Sequence, residues 1–302
     1  MHPADKSHLG IKPAMSILLL CFFWGGVAPA VKIALTGMGP YSIAAWRFLT
    51  GFIVILAWSL LNGKTIRQPE KRRFGLFLFS LLFVSQIVSV NTGIELTLSS
   101  YAVVLLNTSP LFVAILAHWW IPGERITTKK FIGLAVAFAG VLVVFAPSIP
   151  NRELLLGNLL SFTGGFLLSL IHIYSKILVR DIRPSQLVFW EFAYGVPFFF
   201  LLSFLLEREP FVITEQVVGS ILYQGIVVAG FCFVAWMHFL QFYPASKMVS
   251  FQFSIPVFGV FLSWLILDEP LSKHLLIGVG LVASGIYLVT TSKTVLPPTE
   301  TG

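Results

Sequence analysis

Apolar runs of roughly 18–22 residues, separated by short polar punctuation, recur from one end of this chain to the other. About 20 apolar residues are what a helix needs to cross a hydrocarbon core of roughly 30 Å. The pattern predicts ten such helices, near residues 15–36, 41–61, 74–94, 100–121, 131–147, 155–177, 186–206, 217–240, 248–267 and 275–291. The connections are short and only the two ends look mobile. Composition agrees: 57% of residues are hydrophobic and 11% charged, against about 25% charged in an ordinary soluble domain. The expectation is an all-α integral membrane protein, in which the helices satisfy their own backbone groups because the bilayer supplies no water.

The net charge of +7 does not point to nucleic acid, because the lysines and arginines sit in short loops between apolar segments rather than on an aromatic-interleaved face. They sort by side instead. With the N-terminus cytoplasmic, fifteen of the 20 basic residues fall in inner segments, three (Arg152, Arg208, Lys273) fall in outer loops, and Lys32 and Arg47 lie within spans. That bias predicts both ends in the cytoplasm, hence an even number of crossings of a bacterial-type cytoplasmic membrane. Cys21 and Cys232 both lie in apolar runs, so no disulfide framework or metal-ligand spacing is present. Lys6 and Lys12 ahead of an apolar run ending at Ala28-Pro29-Ala30 resemble a signal peptide. The same run also belongs to an internal repeat, which argues for its retention.

Sliding the chain against itself superposes Lys32 on Lys176, Pro40 on Pro184 and Trp46 on Trp190. Further along, Pro110 falls on Pro256, Glu124 on Glu269, Gly133 on Gly278 and Gly140 on Gly285. The spacing stays near 145 residues throughout, so the chain divides into two five-helix repeats, 1–147 and 148–302. Five is odd, so the second copy enters the membrane from the opposite side to the first. A 5+5 inverted repeat is the architecture by which secondary transporters expose one central site to either side in turn.

The segment "WGGVAPAVK" in the first span and the paired stretches "GERITTKKFIGLAVAFAGVLVV" and "DEPLSKHLLIGVGLVASGIYLV" resemble the drug/metabolite transporter superfamily, in particular its EamA branch. The resemblance covers nearly the whole chain, from about Leu18 to Leu288. It implies an inner-membrane carrier, in most members an exporter of amino acids, other metabolites or drugs, with a central cavity between the halves. One departure is that Trp24 has Leu168 as its counterpart, so the cavity need not be symmetric.

Polar groups inside apolar spans are costly without a partner or a task. The substrate-binding candidates on that ground are Asn107 first, then Gln86, Asn91, His172 and Gln252, with Trp24, Tyr101, Trp236 and Phe253 as aromatic walls. Each could equally serve an interhelical hydrogen bond or ordinary packing. Pro110 and Pro256, at matching places in spans four and nine, remove a backbone N–H and are candidate hinges; the alternative is a pair of static kinks. Glu124 and Glu269 read as interfacial groups that pair with cations or cap the next helix. Gly133, Ala137 and Gly140, echoed by Gly278 and Gly285, permit close helix contact either within the subunit or across a homodimer seam.

Arg47 and Glu191 occupy matching places, "AWRF" and "FWEF", with opposite charge. They enter from opposite faces, so a direct salt bridge is not expected. Glu191 either reaches inward to Lys176 or Arg183 or carries the coupling proton of a transport cycle. No HExxH, GxSxG, paired in-span aspartate or Cys/His cluster supports an enzyme, no cofactor is called for, and no repeated charge ring suggests a channel. A lipid or lipid-linked flippase remains an alternative within the same architecture. The partners expected are the bilayer and a small-molecule substrate.

Overall fold

A computed structural model describes residues 11–63, 66–67, 70–120, 126–179, 182–208, 210–242 and 250–291. Among these residues the chain is helical and contains no strand. Nine segments are long and apolar enough to cross a membrane, and a shorter apolar helix, Phe251–Leu267, makes the tenth. The fold is that of an all-helical, ten-span integral membrane protein.

Several spans start as their sequence dictates. Pro40 opens α3 (Pro40–Leu61) at a position where its missing N–H has no intrahelical partner to lose. Thr127 caps α7 (Thr128–Phe145) by accepting from Lys130 N. Asn151 caps α8 (Arg152–Leu178) by accepting from the amides of Glu153 and Leu154. Pro184 opens α9 (Pro184–Leu206), Thr214 caps α10 (Glu215–Leu222), and Ser272 caps α13 (Lys273–Thr290). Each cap meets backbone donors that a helix start leaves unpaired.

Four spans are not the continuous helices that hydropathy suggests. The first is divided at Gly26 into α1 (Ile11–Gly25) and α2 (Val27–Ala34). The third is one helix, α4 (Arg73–Leu96), but the fourth divides at Asn107–Thr108 into α5 (Ser99–Leu106) and α6 (Ser109–Trp120). In the eighth, α10 widens into a π-helical stretch, Tyr223–Cys232, before α11 (Phe233–Phe242). In the ninth a 3₁₀ turn, Ser250–Phe253, precedes α12 (Ser254–Leu267). Pro110 and Pro256 therefore do not bend the middle of a helix, as their place in the hydropathy profile suggests. Each sits in the first turn after an interruption, where proline is tolerated and its missing N–H keeps the hydrogen-bond ladder from running back across the break.

Equivalent helices of the two repeats pack on each other, and they do so antiparallel. On α3 and α9, Trp46 meets Phe200 with ring centroids 5.5 Å apart, whereas Phe52, further along α3, meets Phe189, earlier on α9, at 4.9 Å. On α5 and α12, Ser99 Oγ lies 2.8 Å from Ser263 Oγ, while Val103 lies against Gly259. On α7 and α13, a Cβ on Gly133 would lie 2.9 Å from Gly285 O, and one on Gly140 would lie 2.9 Å from Gly278 O. The glycine stripe is thus used inside the subunit, where it lets two backbones touch. The inverted repeat is a property of the packing as well as of the sequence.

The helix ends fall into two sets. Among the described residues, one end of the bundle carries the connections near 35–39, 97–98, 146–151, 210–214 and 268–272, which hold few basic residues; the other carries Arg67, Lys71, Arg72, Arg73, Lys129, Lys130 and Arg183. They are called here the charge-poor end and the basic end. An aromatic core formed by Phe48, Phe83, Phe192 and Phe199 joins α3, α4 and α9. A second core joins α2, α5, α7, α12 and α13.

Candidate functional site

Two charges clamp the tight turn between α4 and α5 at the charge-poor end. Lys32 Nζ donates to the carbonyls of Ile94, Glu95 and Thr97 at 2.8, 3.1 and 2.7 Å, filling the C-terminus of α4 with a cation. Glu269 approaches from the other repeat. Its Oε1 accepts from Ser99 N and Ser99 Oγ, both at 2.8 Å, and its Oε2 accepts from Ser100 N at 2.9 Å. A cation at a helix C-terminus and a carboxylate at a helix N-terminus each complement the helix dipole.

Glu269 is 6% exposed and caps a helix 170 residues earlier in the chain. It does not cap the helix that follows it, as the sequence suggests; Ser272 does that. Glu207, also from the second repeat, does the same for α3. Its Oε1 accepts from Tyr41 N at 2.6 Å, and its Oε2 accepts from Ser42 N at 3.0 Å and from the Ser42 hydroxyl. Glu124, the sequence counterpart of Glu269, lies outside the described residues.

Of the residues that the sequence marks for substrate binding, the structure brings two directly together. Trp24 on α1 and Trp236 on α11 meet edge to face with centroids 5.2 Å apart, one from each repeat. They pack with Ile17, Cys21, Ile255 and Phe258 into a small cluster between the halves. The remaining candidates are dispersed. Asn107 ends α5 and its amide donates to Val103 O at 2.7 Å, so that donor is used within its own helix. Asn91 donates to Pro40 O at 2.9 Å, leaving its carbonyl oxygen buried and unpaired. Tyr101 reaches Ser272 Oγ at 3.1 Å, and Phe253 packs on Tyr287. Gln86 is buried on α4, Gln252 is half-buried in the 3₁₀ turn, and His172 is exposed on α8.

Glu191 is 5% exposed on α9, and no ion pair to it occurs among the described residues. Arg47 lies with its guanidinium carbon 4.7 Å from the centroid of the Phe48 ring, its Nε buried and unpaired. Among the described residues no group of His, Cys, Asp and Glu could hold a metal ion.

A cavity of about 350 Å³ opens elsewhere, between α1–α2, α10 with its π-helical extension, and α12. Phe22, Phe23, Ile33, Leu262 and Ile266 give it apolar walls. Two of its polar members are tied back, Tyr223 OH donating to Phe23 O at 2.6 Å and Ser220 Oγ to Ala30 O at 3.0 Å, while Gln216 also lines it. None of the residues chosen from the sequence lines it. The available signal was the glycine pair in "WGGV". A Cβ on Gly25 would lie 2.9 Å from Gly259 N, and a Cβ on Gly26 would collide with Tyr223 OH. Those glycines admit α12 and the tyrosine hydroxyl to the interruption of the first span.

Ten apolar helices, arranged as two antiparallel copies with interrupted helices facing each other, define a multi-pass membrane transporter. The EamA-like transporter family model matches the chain twice, over residues 11–146 and 155–291, and the chain belongs to that family. It is 30% identical to a transporter of Archaeoglobus fulgidus over 92% of this chain and 99% of that one. It is 25% identical to the transporter YoaV of Bacillus subtilis, covering 93% and 97% of the two chains. A probable amino-acid metabolite efflux pump of Escherichia coli is also 25% identical, with 92% and 94% covered. A crystal structure at 18% identity superposes with a TM-score of 0.69 over 92% of this chain and 96% of the other, a likeness of fold.

The clamp around the α4–α5 turn carries a direct consequence for stability. Replacing Lys32 by Met keeps the aliphatic stem and removes the donor from three carbonyls, and a hydrogen bond to a charged group contributes about 1.5–3 kcal/mol. Lys32→Met is expected to lower the thermal unfolding midpoint of the detergent-solubilised protein, while Lys32→Arg retains most of it. An unchanged midpoint for Lys32→Met would remove the clamp from the account.

Proposed function

We propose that the protein is a secondary carrier that moves a small metabolite, such as an amino acid or a drug-like amphiphile, out of the cell by alternating access. The observation that carries this reading is the antiparallel pairing of equivalent helices, α3 with α9, α5 with α12 and α7 with α13. Two copies related in that way can exchange conformations, so that a site between them faces one side and then the other. The interruptions ahead of Pro110 and Pro256, one in each copy and on helices that touch, supply matched places for the chain to bend. The Trp24–Trp236 pair lies between the halves and suits a substrate with an apolar or aromatic part. Export as the direction is supported by the family and by the efflux pump of Escherichia coli among the relatives. The basic end faces the cytoplasm in this reading, with both termini inside.

A second reading is favoured by one observation. The cavity of about 350 Å³ is apolar and lies toward the charge-poor end of α2, α10 and α12, where a lipid-like or lipid-linked substrate would find hydrocarbon walls. That reading keeps the fold and changes the cargo.

A resistance screen separates the two. The protein is overproduced in a sensitive bacterial host, which is then challenged with amino-acid analogues, drugs and amphiphiles. The expected result is raised tolerance to at least one soluble compound, with reduced protection in Pro110→Ala and Pro256→Ala cells that hold normal amounts of protein. Alanine permits a continuous helix through each interruption, and a bias of ~1.4 kcal/mol toward one access state shifts that equilibrium about tenfold. Protection only against long-chain amphiphiles would favour the second reading, and protection equal to wild type in both variants would reduce the prolines to static features.

Glu191 is the carboxylate best placed to couple transport to a proton gradient, being buried within a span and lacking a cation partner among the described residues. In proteoliposomes loaded with the compound found by the screen, Glu191→Gln is expected to abolish accumulation driven by a pH gradient while leaving exchange across the membrane intact. Undiminished gradient-driven accumulation would refute the assignment.

A further inference from the structure

We infer that α5 is the gate at the charge-poor end of the carrier, that Glu269 is the latch holding it shut, and that the Asn107–Thr108 interruption is its hinge. The inference rests on the transporter reading above and on the assignment of the charge-poor end to the outside. The geometry has three independent parts. First, α5 is a short lever, Ser99–Leu106, bounded by a turn at one end and an interruption at the other. Second, its free end is tied to the opposite repeat. Two backbone amides and one hydroxyl converge on Glu269, Ser99 Oγ also meets Ser263 Oγ at 2.8 Å, and Tyr101 OH meets Ser272 Oγ at 3.1 Å.

Third, the backbone is specially shaped to deliver the carboxylate. Asp268 ends α12 in the left-handed region, with φ of 52°, a conformation that a short polar side chain tolerates better than most. The next residue is the latch.

Every residue from Ser99 to Leu105 is buried, so the gate is shut in this structure. Its inner face packs on α12 and on the core shared with α2, α7 and α13. A path from the charge-poor end to the space between the halves has to displace this lever or its partner, and the displacement costs the charge-assisted hydrogen bonds of Glu269. The latch thereby sets how much of the population is open to that side. Lys32 holds the C-terminus of α4 on the other side of the turn, so release of Glu269 frees the Ser99 end of α5 without removing the cation from the end of α4. Glu269 is accordingly a positioning residue for transport rather than a substrate contact.

The test reads accessibility and needs no substrate. Cys21 and Cys232, both free and buried, are replaced by Ala, and Ser100→Cys is introduced beneath the latch, where the native hydroxyl is buried and unpaired. Intact cells are treated with a membrane-impermeant maleimide. Slow labelling is expected with Glu269 present, labelling about tenfold faster in Glu269→Ala, and an intermediate rate in Glu269→Gln, which keeps an acceptor but loses the charge. Adding Ser99→Cys and Ser263→Cys with an oxidant, in a protein with Ser100 native and a reporter Ala102→Cys at a buried position of α5, is expected to abolish the Glu269→Ala effect on outside labelling of the reporter.

Unchanged labelling in Glu269→Ala and Glu269→Gln, with or without a fall in melting temperature, would overturn the latch and leave a static helix cap. If Glu269→Ala does not fold, Glu269→Gln alone decides by the same rate. Labelling that rises only in inverted vesicles would refute the assignment of this end to the outside. A protein that failed the resistance screen would still report on the latch, so failure of the two readings is distinguishable.

Discussion

A helix interrupted inside a bilayer exposes backbone amides and carbonyls where no water can reach them, and each must find a partner within the protein. Much of the present structure follows from that constraint. The α4–α5 turn leaves carbonyls pointing one way and amides the other, and the chain meets them with one lysine and one glutamate. The interruption after Leu106 is met by Asn107 and Thr108, whose side chains return to Val103 O and Leu105 O. Gly165 lies against the same place, where any Cβ would press within 2.8 Å of Leu106 O. At the first-span interruption Tyr223 OH donates to Phe23 O. Asn107, which looks like a site candidate in an apolar sequence, is committed to this task by its amide.

Many of those partners come from the other repeat. Glu207 and Glu269, both in the second copy, cap α3 and α5, both in the first. Ser220 and Tyr223, in the second copy, hold carbonyls of the first span. Neither half is complete without the other, which accounts for a stable ten-helix body. It also means that relative movement of the halves is felt as gain or loss of specific hydrogen bonds. Contacts of that kind are made or lost as units rather than deformed continuously.

Legibility differed by scale. The ten spans and the inverted repeat were readable because they are set by transfer energy and by residue pairs spaced near 145 apart. Antiparallel packing of α7 on α13 was implicit in Gly133, Gly140, Gly278 and Gly285, although glycine spacing alone does not separate contact within a subunit from contact between subunits. The interruptions were not readable, since hydropathy is blind to a π-helical stretch at Tyr223–Cys232 or a 3₁₀ turn at Ser250–Phe253. The role of Glu269 was half-readable: its place after span nine suggested a cap, while the helix it caps depends on a contact 170 residues away. Asn107 was chosen for being polar and near Pro110. It lies at the interruption, and its amide is used in ending α5.

The central claim is that the two halves exchange access, closing one end as the other opens. Paired spin labels test it most directly. One pair joins exposed Thr36 and Leu271 at the charge-poor end, and a second joins exposed Trp119 and Val179 at the basic end. Distances are measured by pulsed electron resonance in lipid nanodiscs, for the otherwise native chain and for Pro110→Ala. The account predicts two distances for each pair, with populations that shift in opposite directions at the two ends. A single unchanging distance at each end would contradict it.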